Sequence, residues 1–236
     1  MRQCAQLLQS IPAARLFDEF LKLFFAGSGL ETYRLLDQYG VFNILFPDAA
    51  SAIGKNRERY SLLLEQAFAS TDARINEEKS VTPAFLLAVI LWPAVQILTE
   101  SKLSQGIPAI PALQDAGQEV LVRQLELISI PKRFSMPMRE IWELQLRLPN
   151  RRGKRAALLF TGKRFRAAYD FLILRETSGE ELNGLGQWWT EYQQAGPAQQ
   201  QELVNSLDAR SQVSKPRRRR VKSSEPRPPS DSADHS

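Results

Sequence analysis

Apolar residues recur every three or four positions along nearly the whole chain. From Ala13 to Ala26, the residues Leu16, Phe17, Phe20, Leu21, Phe24 and Phe25 keep that spacing, which lines them up on one stripe of an α-helix. Pro12 suits the first helical turn, where its missing N–H would be unpaired anyway, and Gly27 suits the stop. The same spacing predicts a helix over Leu30–Tyr39, closing on Gly40. Further helices are expected at roughly Arg57–Phe68, Ala84–Leu98, Leu113–Ile128, Met136–Leu148, Lys154–Phe160, Phe165–Glu176, Leu182–Gln193 and Ala198–Leu207. No stretch alternates with period two for long enough to make a strand. Asn183-Gly184 is a hairpin dipeptide, but helical patterns flank it and it is discounted. The expected fold class is all-α.

The most apolar stretch, Pro83 to Leu98, falls short of the ~20 residues a bilayer-spanning helix needs. Pro93 and Gln96 interrupt it, and it reads as a buried core helix. With 236 residues, 43% of them hydrophobic, the chain can bury a sizeable core as one large domain or two small ones. The single cysteine, Cys4, excludes an internal disulfide framework and fits a reducing compartment. The single histidine, His235, is the penultimate residue, so histidine-based metal sites, general bases and triads are not expected. Glutamines break up the apolar residues of MRQCAQLLQS, which does not read as a secretory signal. A cytoplasmic protein with no membrane partner is expected.

From Asp208 the composition changes to Ser, Pro and Arg, with no aromatic residue and two valines as the branched aliphatics. Such a segment buries too little apolar surface to offset its ordering entropy, and residues 208–236 are expected to be disordered. Within it, Lys215 to Lys222 carries Arg217, Arg218, Arg219 and Arg220. This segment is either a solubilising tail or, as condensed cations favour, a nonspecific RNA contact.

Charge is concentrated a second time inside the folded part. The chain has 31 basic and 26 acidic side chains; 8 and 4 of these lie in residues 208–236, leaving 23 against 22. Yet RLPNRRGKRAALLFTGKRFR, residues 147–166, holds eight cations and no acid: Arg147, Arg151, Arg152, Lys154, Arg155, Lys163, Arg164 and Arg166. A merely solvated face mixes both signs, so this run reads as a polyanion footprint. Gly-Lys-Arg occurs twice in it, at 153–155 and 162–164, each time where a turn gives way to a predicted helix. Helix starts present unpaired N–H groups that favour phosphate. A P-loop is excluded, because Arg follows each Gly-Lys and the upstream glycine is missing. Trp142, Phe165, Tyr169, Trp188 and Trp189 lie near enough to be considered as stacking platforms for RNA bases. Phe165, Tyr169 and Leu172 share a helical face, which assigns at least Phe165 to the core.

Several phrases together resemble one family: LLQSIPAARLFDEFLKLF (7–24), GLETYRLLDQYGVFNILFP (29–47), TDARI (71–75), VTPAFLLAVILW (81–92), ISIPKRF (128–134), MREIWELQLRL (138–148), RRGKRA (151–156), KRFRAAYDFLILR (163–175), and Trp188-Trp189 followed by Tyr192. With the arginine-rich tail, the chain is similar to the C-terminal part of the bacterial poly(A) polymerases. These are class II nucleotidyltransferases related to the tRNA CCA-adding enzymes, and they add AMP from ATP to RNA 3′ ends in mRNA polyadenylation and decay.

The resemblance implies neck helices over 1–50, a helical RNA-binding body over 51–207 and a tail over 208–236. It implies single-stranded RNA 3′ ends, a catalytic head and RNA-decay proteins as partners, with the eight cations of the run contacting phosphates. ATP and Mg²⁺ belong to the family's head, which carries a Gly-Ser nucleotide-binding motif and an Asp-x-Asp metal pair; no Asp-x-Asp lies on a strand-like segment here. Met1 falls near the head–neck junction, so no catalytic residue, metal ligand or cofactor is assigned to this chain, and it is expected to be inactive alone. A neck motif of the form Glu-Arg-Ile-x-x-Glu braces the nucleotide-binding helix in the related enzymes. Arg15 and Glu19 match its Arg and second Glu, and Ala14 replaces the first Glu. A stand-alone RNA-binding module and a helical protein-interaction scaffold remain the alternatives.

Overall fold

The computed structural model describes residues 6–213. A 3₁₀ turn, Gln6–Ser10, leads into α1 (Ala13–Phe24), α2 (Gly29–Gln38), α3 (Val41–Leu45), α4 (Pro47–Lys55), α5 (Arg57–Asn76) and α6 (Pro83–Ser104). These are followed by α7 (Ala109–Leu127), α8 (Lys132–Arg147), α9 (Arg155–Phe160), α10 (Phe165–Thr177), α11 (Leu185–Gln194) and α12 (Pro197–Val213). The described residues contain no strand, and the all-α expectation holds.

Helix α6 is the axis of the larger hydrophobic cluster. Every residue from Leu86 to Val95 is buried, with α4, α5, α7 and α8 packed around it. Among the described residues it is the one helix long and apolar enough to cross a membrane by length and composition, and most of that apolar window lies inside the fold. Pro93 sits within it and has no N–H to offer the Val89 carbonyl. One turn away, Trp142 of α8 donates its indole N–H to the Ala88 carbonyl at 2.9 Å. The aromatic stripe of α1 joins this cluster ring to ring: Phe20 to Phe24 and Phe24 to Phe68 each at 5.0 Å between centroids, and Tyr33 to Phe68 also at 5.0 Å. One continuous cluster therefore runs across residue 50 and takes in α1 to α8. A second gathers Leu148, Ala156, Phe165, Leu172, Trp189 and Val204 from the C-terminal helices.

The structure departs from the periodicity in several places; α6 runs past Leu98 to Ser104, for 22 residues. Helices α3 and α4 were not predicted; each is short, and Pro47 at the start of α4 supplies the preset φ of a first turn. Helix α5 runs past Phe68 to Asn76 because its polar end is held by tertiary bonds. The Asp72 carboxylate accepts from the N–H groups of Gly29 (2.7 Å) and Leu30 (2.9 Å), capping α2, and Asn76 Nδ2 donates to the Gly27 carbonyl at 3.2 Å. Helix α12 continues to Val213, six residues into the segment assigned to the tail, since no Gly or Pro interrupts the chain before Pro216. Asn183-Gly184 does turn, with φ of 52° and 67°, but it introduces α11 rather than a hairpin.

Asp72→Ala removes both capping bonds from α2 and, of the ties that hold the end of α5, leaves the one from Asn76. It is expected to cost about 1–2 kcal/mol, measured as a shift of the urea midpoint with an unchanged slope. A slope change would mean that the substitution altered more than the cap.

Candidate nucleic-acid interface

The basic run is carried by the smaller cluster. Trp189 anchors it: the side chain is fully buried, its indole N–H donates to the Leu148 carbonyl at 3.1 Å, and its ring meets Phe165 at 5.0 Å. Leu148 is the last residue before the loop bearing Arg151 and Arg152, and Phe165 is the first of α10, so one indole fixes both ends of the basic segment. Helix α11 is locked to α10 by Glu176, whose carboxylate accepts the Gly186 N–H at 2.9 Å. A Cβ at Gly186 would stand 2.0 Å from Glu176 Oε2 and 2.7 Å from Ile173 Cδ1, so a larger residue would push both side-chain ends aside and disturb this bond.

The nearby rings are therefore core. Phe165 is buried, as its helical face indicated, and Trp142, Trp188 and Trp189 are buried as well, so these three are not stacking platforms for RNA. Tyr169 is half-buried, and its hydroxyl shares a 2.7 Å hydrogen bond with Thr190.

Both Gly-Lys-Arg turns stand at helix starts as expected. Lys154 immediately precedes α9 and Arg164 immediately precedes α10, and no side chain caps either helix. Helix α9 has six residues, so an anion there would answer to the side chains of Lys154 and Arg155 more than to a helix dipole.

An acid-free sequence is not an acid-free surface. Arg147 pairs with Glu143 of its own helix at 2.9 Å, Arg164 with Glu140 of α8 at 2.7 Å, and Arg166 with Asp170 at 3.0 Å. Arg151 is half-buried, its guanidinium 4.9 Å from the centroid of the Trp188 ring. Burial, and then the charge of Arg152, lower its pKa from the ordinary arginine value. Lys154, Arg155 and Lys163 are the exposed cations of the run without a carboxylate partner among the described residues. Sequence reasoning missed Arg74. It comes from α5 to line the same cleft as Lys163, Arg164 and Arg166, with its guanidinium donating to the Ser80 carbonyl at 3.2 Å. The phrase TDARI contained it, but nothing local tied it to the run.

In the neck, Arg15 is exposed and Glu19 bonds to Lys22 at 2.9 Å rather than to Arg15. The hydrogen bond and charge of Lys22, with a smaller contribution from Arg15, hold the Glu19 carboxyl below the usual range. Arg217, Arg218, Arg219 and Arg220 lie outside the described residues. Among the described residues no three His, Cys, Asp or Glu side chains converge to hold a metal ion.

Comparison with known proteins places the chain in a family. Residues 105–224 match a family model described as "Polymerase A arginine-rich C-terminus", and residues 1–53 match one described as "Probable RNA and SrmB- binding site of polymerase A". Poly(A) polymerase I of Salmonella typhi is 40% identical over 223 residues, covering 91% of this chain and 48% of the relative. The Escherichia coli O157:H7 protein of the same name gives the same figures. That of Haemophilus influenzae is 36% identical over 229 residues, 94% of this chain and 51% of the relative. The chain spans about half the length of these curated relatives. With half of its residues in one family model and its N-terminal helices in the other, the chain belongs to the bacterial polymerase A family, as a C-terminal part of it.

Proposed function

We propose that this chain is the RNA-binding neck, body and tail of a poly(A) polymerase, acting in the cytoplasm. The body holds the RNA whose 3′ end receives AMP from ATP at a catalytic head outside these residues. The observation that carries this reading is the uncompensated group Lys154, Arg155 and Lys163, set on a rigid aromatic platform and flanked by Arg152 and Arg164. Clustered cations of this kind bind phosphates by releasing counterions, and the contact reads backbone rather than sequence. ATP and Mg²⁺ belong with the head; no step of nucleotidyl transfer is assigned to residues of this chain. The model matched by residues 1–53 also names SrmB, and a protein partner on the N-terminal helices is part of the proposal.

Lys154→Glu combined with Arg155→Glu is expected to weaken binding of single-stranded RNA and to reduce its salt dependence. The log–log slope should flatten by about 0.7 per lost phosphate contact. Fluorescence anisotropy titrations at several salt concentrations measure both. A slope equal to that of the unaltered chain would overturn the assignment of these two residues to RNA.

A further inference from the structure

Beside Lys163 a cleft of about 580 Å³ opens between the end of α5, the start of α6 and α10, a size typical of sites for small ligands. Its floor is apolar and aromatic. Phe85 is half-buried and edge-on to Phe171 at 6.5 Å and 78°, and Ile173 continues the same surface. Tyr169 forms one side, its ring stacked on Phe165 at 6.2 Å and 18° and its hydroxyl tied to Thr190, so its orientation is set in advance. The rim is cationic: Arg74, Lys163, Arg164 and Arg166 line it with a single acid, Asp170, which Arg166 neutralises, while Glu140 of α8 pairs with Arg164 from outside the lining. The hydroxyls of Ser70 and Thr82 line the cleft without an intramolecular hydrogen bond among the described residues.

A patch that recognised charge alone would need no aromatic floor, and a purely apolar ligand would gain nothing from four cations. Both features suit a single-stranded nucleotide, which combines a flat apolar base with a phosphate. The guanidinium of Arg166 lies 5.6 Å from the centroid of the Tyr169 ring, within reach of the cleft's aromatic side. Its exposed pair with Asp170 is of a kind that contributes little and yields readily to a phosphate.

The geometry points to this cleft as the seat of one unstacked nucleotide of bound RNA, its base against Phe85 and Tyr169 and its phosphate on Lys163, Arg166 and Arg74. The inference rests on the RNA-binding reading above but adds base recognition, which the basic run alone does not provide.

Ser70→Trp fills the cleft from an exposed position on α5 and removes no cation. The 236-residue chain and this variant are titrated with oligoadenylate and, separately, with inorganic polyphosphate of matched charge. The variant is expected to bind oligoadenylate about 5- to 150-fold more weakly, the range that loss of one base–aromatic stack produces, and polyphosphate equally well. Thr82→Trp, entering from the opposite wall at a position whose side chain makes no capping bond, should behave alike, and thermal melts establish that each variant is folded. Folded variants that keep the affinity of the unaltered chain for oligoadenylate, or that lose both ligands to the same degree, would overturn the base site. The double Glu variant at Lys154 and Arg155 tests the phosphate patch separately. If it loses both ligands while the tryptophan variants lose neither, the patch stands and the cleft falls.

Discussion

Replacing Glu180 with alanine is expected to lower the stability of the fold by about 3 kcal/mol, which for a domain of this size is a drop in Tm of about 6–12 °C. Helix α10 ends in a Schellman turn. Gly179, at φ 91°, donates to the Glu176 carbonyl and Glu180 to the Arg175 carbonyl, each at 3.0 Å. That turn folds the Glu180 carboxylate back onto the guanidinium of Arg175, at 2.6 and 2.9 Å. Arg175 is 7% exposed, lies over the Trp92 ring at 4.9 Å and also donates to Gln145 at 2.9 Å. Arg59 of α5 reaches the same carboxylate at 2.6 Å. Taking away the carboxylate leaves a buried cation with one neutral partner, and the cost comes from that stranded charge rather than from the worth of the pair itself. The joint replacement Arg175→Met and Glu180→Leu should therefore recover most of the lost stability. A double variant no more stable than Glu180→Ala would show that the ion pair contributes beyond mutual compensation.

The same carboxylate makes stability depend on pH. Burial pushes the Glu180 pKa up, but the hydrogen bonds and charges of Arg175 and then Arg59 outweigh it and hold the carboxyl below its usual value. A carboxyl whose pKa is lower in the folded state stabilises the fold fully above the unfolded value of about 4.3. That contribution fades as pH falls through the folded pKa. The unaltered chain is thus expected to lose more stability between pH 5 and pH 3, roughly, than the double variant carrying Arg175→Met and Glu180→Leu does. Parallel curves would remove Glu180 from the acid response.

Trp189→Ala is expected to cost about 3–5 kcal/mol, concentrated in the smaller cluster. The indole, on α11, fills the space between Leu148, Phe165 and Tyr192, and α9 buries only the small Ala156 of its own residues to hold it in place. Amide exchange should quicken across α9 to α12 while α6, buried continuously from Leu86 to Val95, keeps its protection there. RNA affinity should fall in parallel although no cation has been touched, because the cations lose their common platform. Trp189→Phe keeps most of the packing and loses the bond to the Leu148 carbonyl, and about 1 kcal/mol is expected from that bond. Uniform loss of protection along the chain would instead mean that the two clusters unfold together.

Much of this was legible in the residues. The stripe from Leu16 to Phe24 and the unbroken apolar run of α6 report directly which surfaces leave water, since helical periodicity is a local property. Glycine punctuation placed both Gly-Lys-Arg turns at helix starts. The ends of α5 and α12 were misjudged because periodicity fades where polar side chains begin. Asp72 and Asn76 keep α5 helical by bonding residues more than forty positions away, and a bond of that span leaves no periodic trace.

The charge and the aromatics mark the boundary most clearly. The linear order of residues was enough to show an all-helical chain with one cation-rich, acid-free run and a second basic segment near the C-terminus. Glu143 and Asp170 stand four residues from Arg147 and Arg166 on the same helices and pair with them locally, whereas helix packing alone carries Glu140 of α8 to Arg164 and so settles which cations remain uncompensated. Packing also withdrew the tryptophans into the core and set Phe85 and Arg74 beside Tyr169 and Lys163. Helix formation depends on neighbours a few residues apart, so sequence spacing encodes it. A binding surface depends on which faces meet when helices cross, and that is fixed by the burial of the whole core at once.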